Sequence, residues 1–307
     1  MAFDELLRHQ LAHNPVYRTF YESFGNPSAI PLLPVEAFRE TRVYAAGAHP
    51  PELEFRSSGT TDMRRSVHHV AYAEVYRTSI REGMALFYDI DAMIFAAYAP
   101  GYDTNPHSSL MWMLRELVDH SHPLSRFLVP AQPIDPAWLD EVRASGHPMM
   151  LFGAAFGLLD LAESHPVALP ASTILMETGG MKTYRREISR HDMHRILAEA
   201  FSLPLGQIHS EYGMTELLSQ AYATGHGGFR TPPWLHVSLR DPKDPLREVG
   251  PWEEGLIGLI DEKNRFSCPF LLTGDLGRLH PDGSFDVLGR YNPTQLRGCN
   301  FIMEDEE

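Results

Sequence analysis

AYAEVYRTSIREGMALFYDIDAMIFAAYAPG, Ala71 to Gly101, sets out the fold in two halves. Ala71 to Leu86 places its apolar residues at helical intervals. Ala92 to Ala99 is instead a short unbroken apolar run ending on Pro100-Gly101, the pattern of a strand buried on both faces. Helix, strand and turn make the repeating unit of an α/β protein, and the unit recurs downstream. The sequence predicts a helix over Ser108 to His120, a strand at Phe127 to Val129, a helix at Ala137 to Ala144 and a strand at Met149 to Phe152. A helix at Gly157 to Glu163, a strand at Thr173 to Met176 and a helix at Arg190 to Phe201 follow. Such alternation predicts a mainly parallel sheet flanked by helices, with ligands at the carboxyl ends of its strands.

Upstream, Leu6, Leu7, Leu11, Val16, Phe20 and Phe24 recur at helical spacing, with Asn14-Pro15 as a break. The prolines of IPLLPVEAFRE, Ile30 to Glu40, exclude a long helix before Val35, so only a short one is expected there. After about Gly227 the texture changes to short runs cut by Pro232-Pro233, Asp241-Pro242, Asp244-Pro245, Gly250-Pro251 and Asp282-Gly283, a β-rich pattern with hairpins. The reading divides the chain into an α/β core over 1–228, a small β-rich subdomain over 229–290 that completes the site, and a short tail over 291–307.

The chain has 307 residues, 43% hydrophobic and 21% charged, an ordinary globular composition. With 26 Lys+Arg against 40 Asp+Glu, the net charge of -14 repels a phosphate backbone and argues against nucleic-acid binding. The opening MAFDELLRHQ lacks a basic-then-apolar leader pattern, and no apolar run reaches the roughly 20 residues of a membrane span. A cytoplasmic protein is expected. The two cysteines, Cys268 and Cys299, are too few for a disulfide framework.

Three stretches hold residues suited to chemistry. In FRSSGTTDMRR, Phe55 to Arg65, the turn Ser57-Ser58-Gly59-Thr60-Thr61 offers hydroxyls and backbone N–H groups that can wrap phosphate oxygens. No lysine follows the glycine, so this is not the common phosphate loop, and a plain solvated turn has the same composition. In HSEYGMTELLSQAY, His209 to Tyr222, the residues Tyr212, Gly213, Thr215 and Glu216 stand where a strand is expected to give way to a helix. They can serve as a helix cap with Leu217 and Leu218 in the core, or place a ring on a base, a hydroxyl on a phosphate and a carboxylate on Mg²⁺. In FLLTGDLGRLHPDGSFDVLGRYN, Phe270 to Asn292, Asp275 can accept from ribose hydroxyls with Arg290 as a nearby cation, or the segment is simply two hairpins.

The order of the three stretches resembles the adenylate-forming superfamily of acyl-CoA synthetases, luciferases and peptide-synthetase adenylation domains. Closer in detail, ETGGMK at Glu177 to Lys182, SEYGMTELLSQAY at Ser210 to Tyr222, PPWLHV at Pro232 to Val237, DLGRL at Asp275 to Leu279, and VLGRYN with RGCN between Val287 and Asn300 resemble the LuxE acyl-protein synthetases. The likeness spans nearly the whole chain. It implies an adenylate-forming large-domain fold of mixed and parallel sheets with a small β-rich subdomain, and with the superfamily's mobile C-terminal domain absent.

The resemblance also implies the site. Ser57 to Thr61 match the phosphate loop, Gly179-Gly180 the turn against adenine, and Tyr212 with Gly213 the aromatic platform. Thr215 matches the α-phosphate contact, Glu216 the Mg²⁺ carboxylate, and Asp275 and Arg290 the ribose contacts. Cofactors are then ATP and Mg²⁺, the substrate is a carboxylic acid of the fatty acyl class, and Cys299 is the thiol that stores the acyl group for an acyl-reductase partner. Transfer of the acyl group to coenzyme A, a carrier-protein thiol or an amine is the alternative, as is an inactive binding module of the same fold.

Two departures bear on the chemistry. Asp62 stands where the superfamily continues its phosphate loop with glycine, with Arg64 and Arg65 available to offset its charge. The lysine of the mobile domain has no counterpart, and Lys182 and Arg185 are candidates to replace its charge, although both suit a solvated surface equally. LFGAAFGLLDL, Leu151 to Leu161, is expected either to leave room for an apolar chain or to be an ordinary core helix.

Overall fold

The computed structural model describes residues 3–25, 27–47, 49–57, 64–102, 105–179 and 188–292. Asn14 separates the first two helices, α1 (Asp4–His13) and α2 (Pro15–Glu22), and caps the second by accepting the N–H of Tyr17 at 3.1 Å. Pro15 at the first helical position loses nothing, because that N–H has no helical acceptor. Next come β1 (Leu33–Pro34), the one-turn α3 (Ala37–Glu40), and the antiparallel hairpin of β2 (Leu53–Arg56) and β3 (Val67–Val70). The alternating region follows: α4 (Ala73–Ala85), β4 (Ile94–Tyr98), α5 (Ser109–Asp119), β5 (Arg126–Phe127), α6 (Pro136–Ser145), β6 (Met149–Ala154), α7 (Ala155–Ser164), β7 (Ile174–Thr178), α8 (Arg190–Phe201) and β8 (Ile208–Tyr212). The strands β9 (Ala221–Ala223), β10 (Leu235–Asp241), β11 (Asp244–Glu248), β12 (Glu254–Asp261), β13 (Phe270–Leu279) and β14 (Phe285–Arg290) complete the described chain.

The expected sheet forms in the order β5-β4-β6-β7-β8-β9, parallel throughout except for β9, which runs antiparallel to β8. Both β4 and β6 are buried at every position, as strands covered on both faces must be. Their alternate residues feed two cores. Ile94, Ala96 and Tyr98 pack with Trp138, Leu158 and Phe201 from α6, α7 and α8, whereas Phe95 and Ala97 pack with Tyr76, Met84 and Leu114 from α4 and α5.

Glycine is required where β6 meets β4. A Cβ on Gly153 would stand 2.1 Å from the Tyr98 carbonyl oxygen, and one on Gly157 would stand 2.6 Å from Cδ of Pro100. The small residues of Leu151 to Leu161 therefore admit a neighbouring backbone, and the space they leave at these two positions is already filled.

A second sheet runs β1-β13-β12-β10-β11, with β14 on the other side of β13. Its core gathers Tyr17, Phe38, Leu235, Ile257, Leu259, Phe270 and Phe285. β1 joins it parallel to β13, pairing Leu33 with Leu271. The first two helices are tied to the same region, because Gln10 Nε2 donates to the Arg265 carbonyl at 2.7 Å and Asn14 Nδ2 to the Ser267 carbonyl at 3.0 Å.

One expected element is not there. After Tyr212 the chain makes a turn and returns as β9, so no helix follows β8 and Thr215 caps none. Leu217 and Leu218 are nevertheless buried, as the core reading required.

Candidate nucleotide site

β7 and β8 end side by side, with Thr178 in register with Glu211, which brings Gly179 beside Tyr212 at the carboxyl edge of the sheet. Gly179 turns there with φ +88°, a conformation glycine adopts without strain. Tyr212 projects towards the second sheet, its ring 5.8 Å from Phe229 and 5.9 Å from Phe285 between centroids. Its hydroxyl donates to Asp275 Oδ2 at 2.9 Å, and Arg290 Nε lies 2.9 Å from Asp275 Oδ1. The pairing of Asp275 with Arg290 in the β13–β14 ladder sets this geometry. Gly274 makes room for it, since a Cβ there would meet an Arg290 guanidinium nitrogen at 2.8 Å. Burial and the Asp275 charge hold the Tyr212 phenol well above its usual pKa, so it stays a donor.

The turn carrying Thr215 and Glu216 is held by its backbone. His68 Nδ1 donates to the Thr215 carbonyl at 2.8 Å, and Asn264 Nδ2 donates to the Glu216 carbonyl at 2.7 Å. Asp261 accepts the N–H groups of Leu218 and Ser219 at 3.0 Å each, the Ser219 hydroxyl at 2.7 Å and the Lys263 N–H at 3.1 Å. Burial still outweighs these four donors and raises the Asp261 pKa to about 6. Glu216 is itself buried. Ser57 and Ser66 extend the β2–β3 hairpin: the Ser57 N–H donates to Ser66 O at 3.1 Å, and the Ser66 N–H to Ser57 Oγ at 3.0 Å. Arg64 lies 3.6 Å from Glu40, an exposed ion pair.

Ser57, Gly179, Tyr212, Gly213, Thr215, Glu216, Asp275 and Arg290 are thus described. Ser58, Gly59, Thr60, Thr61, Asp62, Gly180, Lys182, Arg185 and Cys299 lie outside the described residues. Cys268 is wholly buried; its thiol donates to the Phe270 carbonyl at 3.5 Å, and burial pushes its pKa up to about 12.

Sequence reasoning passed over the polar layer under the strand ends. Glu211, on the face of β8 opposite Tyr212, takes a hydrogen bond from the Thr178 hydroxyl. Burial raises its pKa to about 7, with Glu177 adding to the shift. Its carboxylate also explains Gly213, where a Cβ would stand 2.3 Å from Glu211 Oε1. On the other face Ser210 joins Glu177, His194 and Arg190: its hydroxyl donates to Glu177, His194 Nε2 lies 3.1 Å from Ser210 Oγ, and Arg190 Nε donates to the same oxygen at 2.8 Å. Glu177 and Thr178 open ETGGMK, and Ser210 and Glu211 open SEYGMTELLSQAY, so the motifs contained them without marking their role; His194 and Arg190 carried no signal.

The fold is that of adenylate-forming enzymes. ATP-bound MatB from Rhodopseudomonas palustris matches with a TM-score of 0.57 and 17% identity, over 80% of this chain and 49% of that one. A 2-hydroxyisobutyryl-CoA ligase in complex with 2-HIB-AMP and CoA matches with a TM-score of 0.67 and 13% identity, over 93% and 72%. The luciferase-like enzyme of the mealworm Zophobas morio matches with a TM-score of 0.54 and 18% identity, over 81% and 60%. The chain spans about half the length of MatB. No curated protein matches it significantly. The family described as acyl-protein synthetase, LuxE, matches residues 129–306, more than half of the sequence and all of the Tyr212, Asp275 and Arg290 region. The chain, with the fold of adenylate-forming enzymes, therefore belongs to the LuxE acyl-protein synthetase family.

Proposed function

We propose that this protein activates a carboxylic acid of the fatty acyl class with ATP and transfers the acyl group to the thiol of Cys299. The observation that carries the reading is the Tyr212–Asp275–Arg290 constellation, an aromatic face and a braced carboxylate at the carboxyl edge of a parallel sheet. An Asp held by a phenol and a guanidinium has its oxygens oriented in advance, which suits bidentate recognition of ribose hydroxyls. Membership of the LuxE family supports the same reading.

In the first step a carboxylate oxygen attacks the α-phosphorus, an O–P bond forms, and the bond to the β-phosphate breaks with release of pyrophosphate. The acid's oxygen becomes part of a good leaving group. Ser57 to Thr61 and Thr215 donate to the phosphate oxygens as negative charge develops. The Glu216 carboxylate is a hard oxygen donor of the kind Mg²⁺ takes; it would hold the ion, which would supply charge neutralisation at the phosphates. In the second step the Cys299 thiolate attacks the acyl carbon, a C–S bond forms, and the C–O bond to AMP breaks. Cys268 does not compete, because burial keeps it a protonated thiol. The thioester then serves an acyl-reductase partner in the cytoplasm. Among the described residues no helix is long and apolar enough to cross a membrane.

Pyrophosphate release measured over a panel of acids tests the first step, with long-chain fatty acids expected to be the best substrates. No release with any acid sinks the adenylation reading. Intact-protein mass spectrometry after incubation with ATP, Mg²⁺ and the acid tests the second. A hydroxylamine-labile adduct is expected on the wild type and not on Cys299→Ser. An adduct persisting in Cys299→Ser places the acyl group on another side chain of this protein, and no adduct on either moves the acceptor to coenzyme A or a carrier-protein thiol.

A further inference from the structure

Behind the Thr215–Glu216 turn lies a small cavity lined by His68, Val70, Leu218, Asn264, Phe266 and Ser267 among others. Its walls come from β3, the turn after β8, and the connection between β12 and β13. About 10 Å³ is open to the centre of a water-sized sphere, roughly what one water molecule needs and too little for a larger ligand.

The wall is mostly apolar, but three buried polar side chains stand in it. His68 and Asn264 are completely buried and Ser267 nearly so, yet His68 Nε2, Asn264 Oδ1 and Ser267 Oγ have no hydrogen-bond partner among the described residues. A buried polar atom left unpaired costs about 1–3 kcal/mol, and empty cavities are apolar ones.

The donors and acceptors are fixed by what the same side chains do on their other side. The Thr215 carbonyl only accepts, so His68 Nδ1 carries the hydrogen. Burial pushes the His68 pKa down to about 4, which keeps the ring neutral and leaves Nε2 a bare acceptor. Asn264 gives its N–H to Glu216, which leaves its carbonyl oxygen as an acceptor. The Ser267 hydroxyl is free to rotate and donate. Two acceptors and one donor complement the two O–H groups and a lone pair of water. A cation is disfavoured because Lys263 lines the same cavity.

We propose that one buried water, held by His68 Nε2, Asn264 Oδ1 and Ser267 Oγ, is a constituent of the site, and that His68 and Asn264 are positioning residues fixing the Thr215–Glu216 turn against β3 through it. β3 closes the hairpin that leaves Ser57, so this joint couples the phosphate-loop hairpin to the turn that bears Glu216. The catalytic half of the inference rests on the adenylation reading; the water does not.

A crystal structure of the whole chain that shows ordered water is expected to place a single one about 2.7–3.2 Å from His68 Nε2 and Asn264 Oδ1. Nitrogen-15 NMR of His68 is expected to show hydrogen on Nδ1. A dry cavity, or hydrogen on Nε2, overturns the water site. For the positioning role, His68→Ala is expected to lower kcat for pyrophosphate release about tenfold to a hundredfold, with KM for the acid little changed. His68→Asn, whose amide nitrogen can stand where Nδ1 stood, is expected to recover part of the loss. Equal rates in wild type and His68→Ala overturn the positioning role. If His68→Ala does not fold, Ser267→Ala replaces it, because it keeps both bonds to the turn. A fall in kcat is then expected, and an unchanged kcat overturns the role of the water. Should the wild type itself release no pyrophosphate, adenylation has failed, and the crystallographic and NMR results decide the water site alone.

Discussion

Asp275 receives the Tyr212 phenol on one oxygen and Arg290 on the other, so its remaining lone pairs face a fixed direction. Asp275→Ala is expected to weaken binding of a non-hydrolysable ATP analogue by ~1.5–3 kcal/mol, the scale of charge-assisted hydrogen bonds. Tyr212→Phe, which frees one carboxylate oxygen and keeps the ring, is expected to lose less. Titration calorimetry measures both, and unchanged affinity in Asp275→Ala with the fold intact removes the nucleotide assignment. Glu211 makes a prediction about pH. Its folded pKa of about 7 lies above the ordinary 4.5, so folding takes up a proton between those values. The stability it contributes is complete below about pH 4.5 and lost as pH rises through about 7, on the order of 3 kcal/mol. Glu211→Gln is expected to flatten that fall, giving a urea midpoint that changes less than the wild type's between pH 5 and 8. Parallel curves for the two proteins reject the buried-carboxylate account. At this scale the sequence showed Tyr212, Asp275 and Arg290 because motifs contain them. His68, Asn264 and Asp261 sit in unremarkable stretches, and their importance lies in what folds against them from 42 to 147 positions away.

The helices and parallel strands could be read because each buries a local apolar pattern. Ala71 to Leu86 needs one wet face and Ala92 to Ala99 needs none, and the structure supplies both as α4 and β4. ELLSQAY after Thr215 has the letters of a helix, yet it forms a turn and β9. Asp261, at the end of β12, takes the N–H groups of Leu218 and Ser219 and so offers the turn a partner that no local pattern reveals. Asp261→Ala is expected to leave those N–H groups and that of Lys263 buried without an acceptor, destabilising the protein by ~2–4 kcal/mol. Urea unfolding measures it, and a loss below about 0.5 kcal/mol shows that the turn stands without the carboxylate.

Across the whole molecule, the aromatic and the carboxylate of the candidate site belong to different sheets: Tyr212 ends the parallel sheet, while Asp275 and Arg290 pair within the antiparallel one. A nucleotide touching all three ties the sheets together, and a ligand present at a hundred times its Kd adds about 2.7 kcal/mol to stability. The ATP analogue is therefore expected to raise the melting temperature of the wild type by several degrees and that of Asp275→Ala by much less at the same concentration. Equal shifts in both contradict the bridging geometry. The attachment of the chain's beginning to its far side also shapes how the protein is made. Gln10 needs the carbonyl of Arg265, Asn14 that of Ser267, and Leu33 the strand at Leu271. At about 5–20 residues per second of synthesis, the 255 positions between Gln10 and Arg265 take roughly 13–50 s. For that interval the nascent chain carries two amphipathic helices with no surface to cover. A nascent intermediate in which these two helices wait for their packing surface is the cost of this topology, and it lasts until the Arg265–Ser267 segment and β13 have been made.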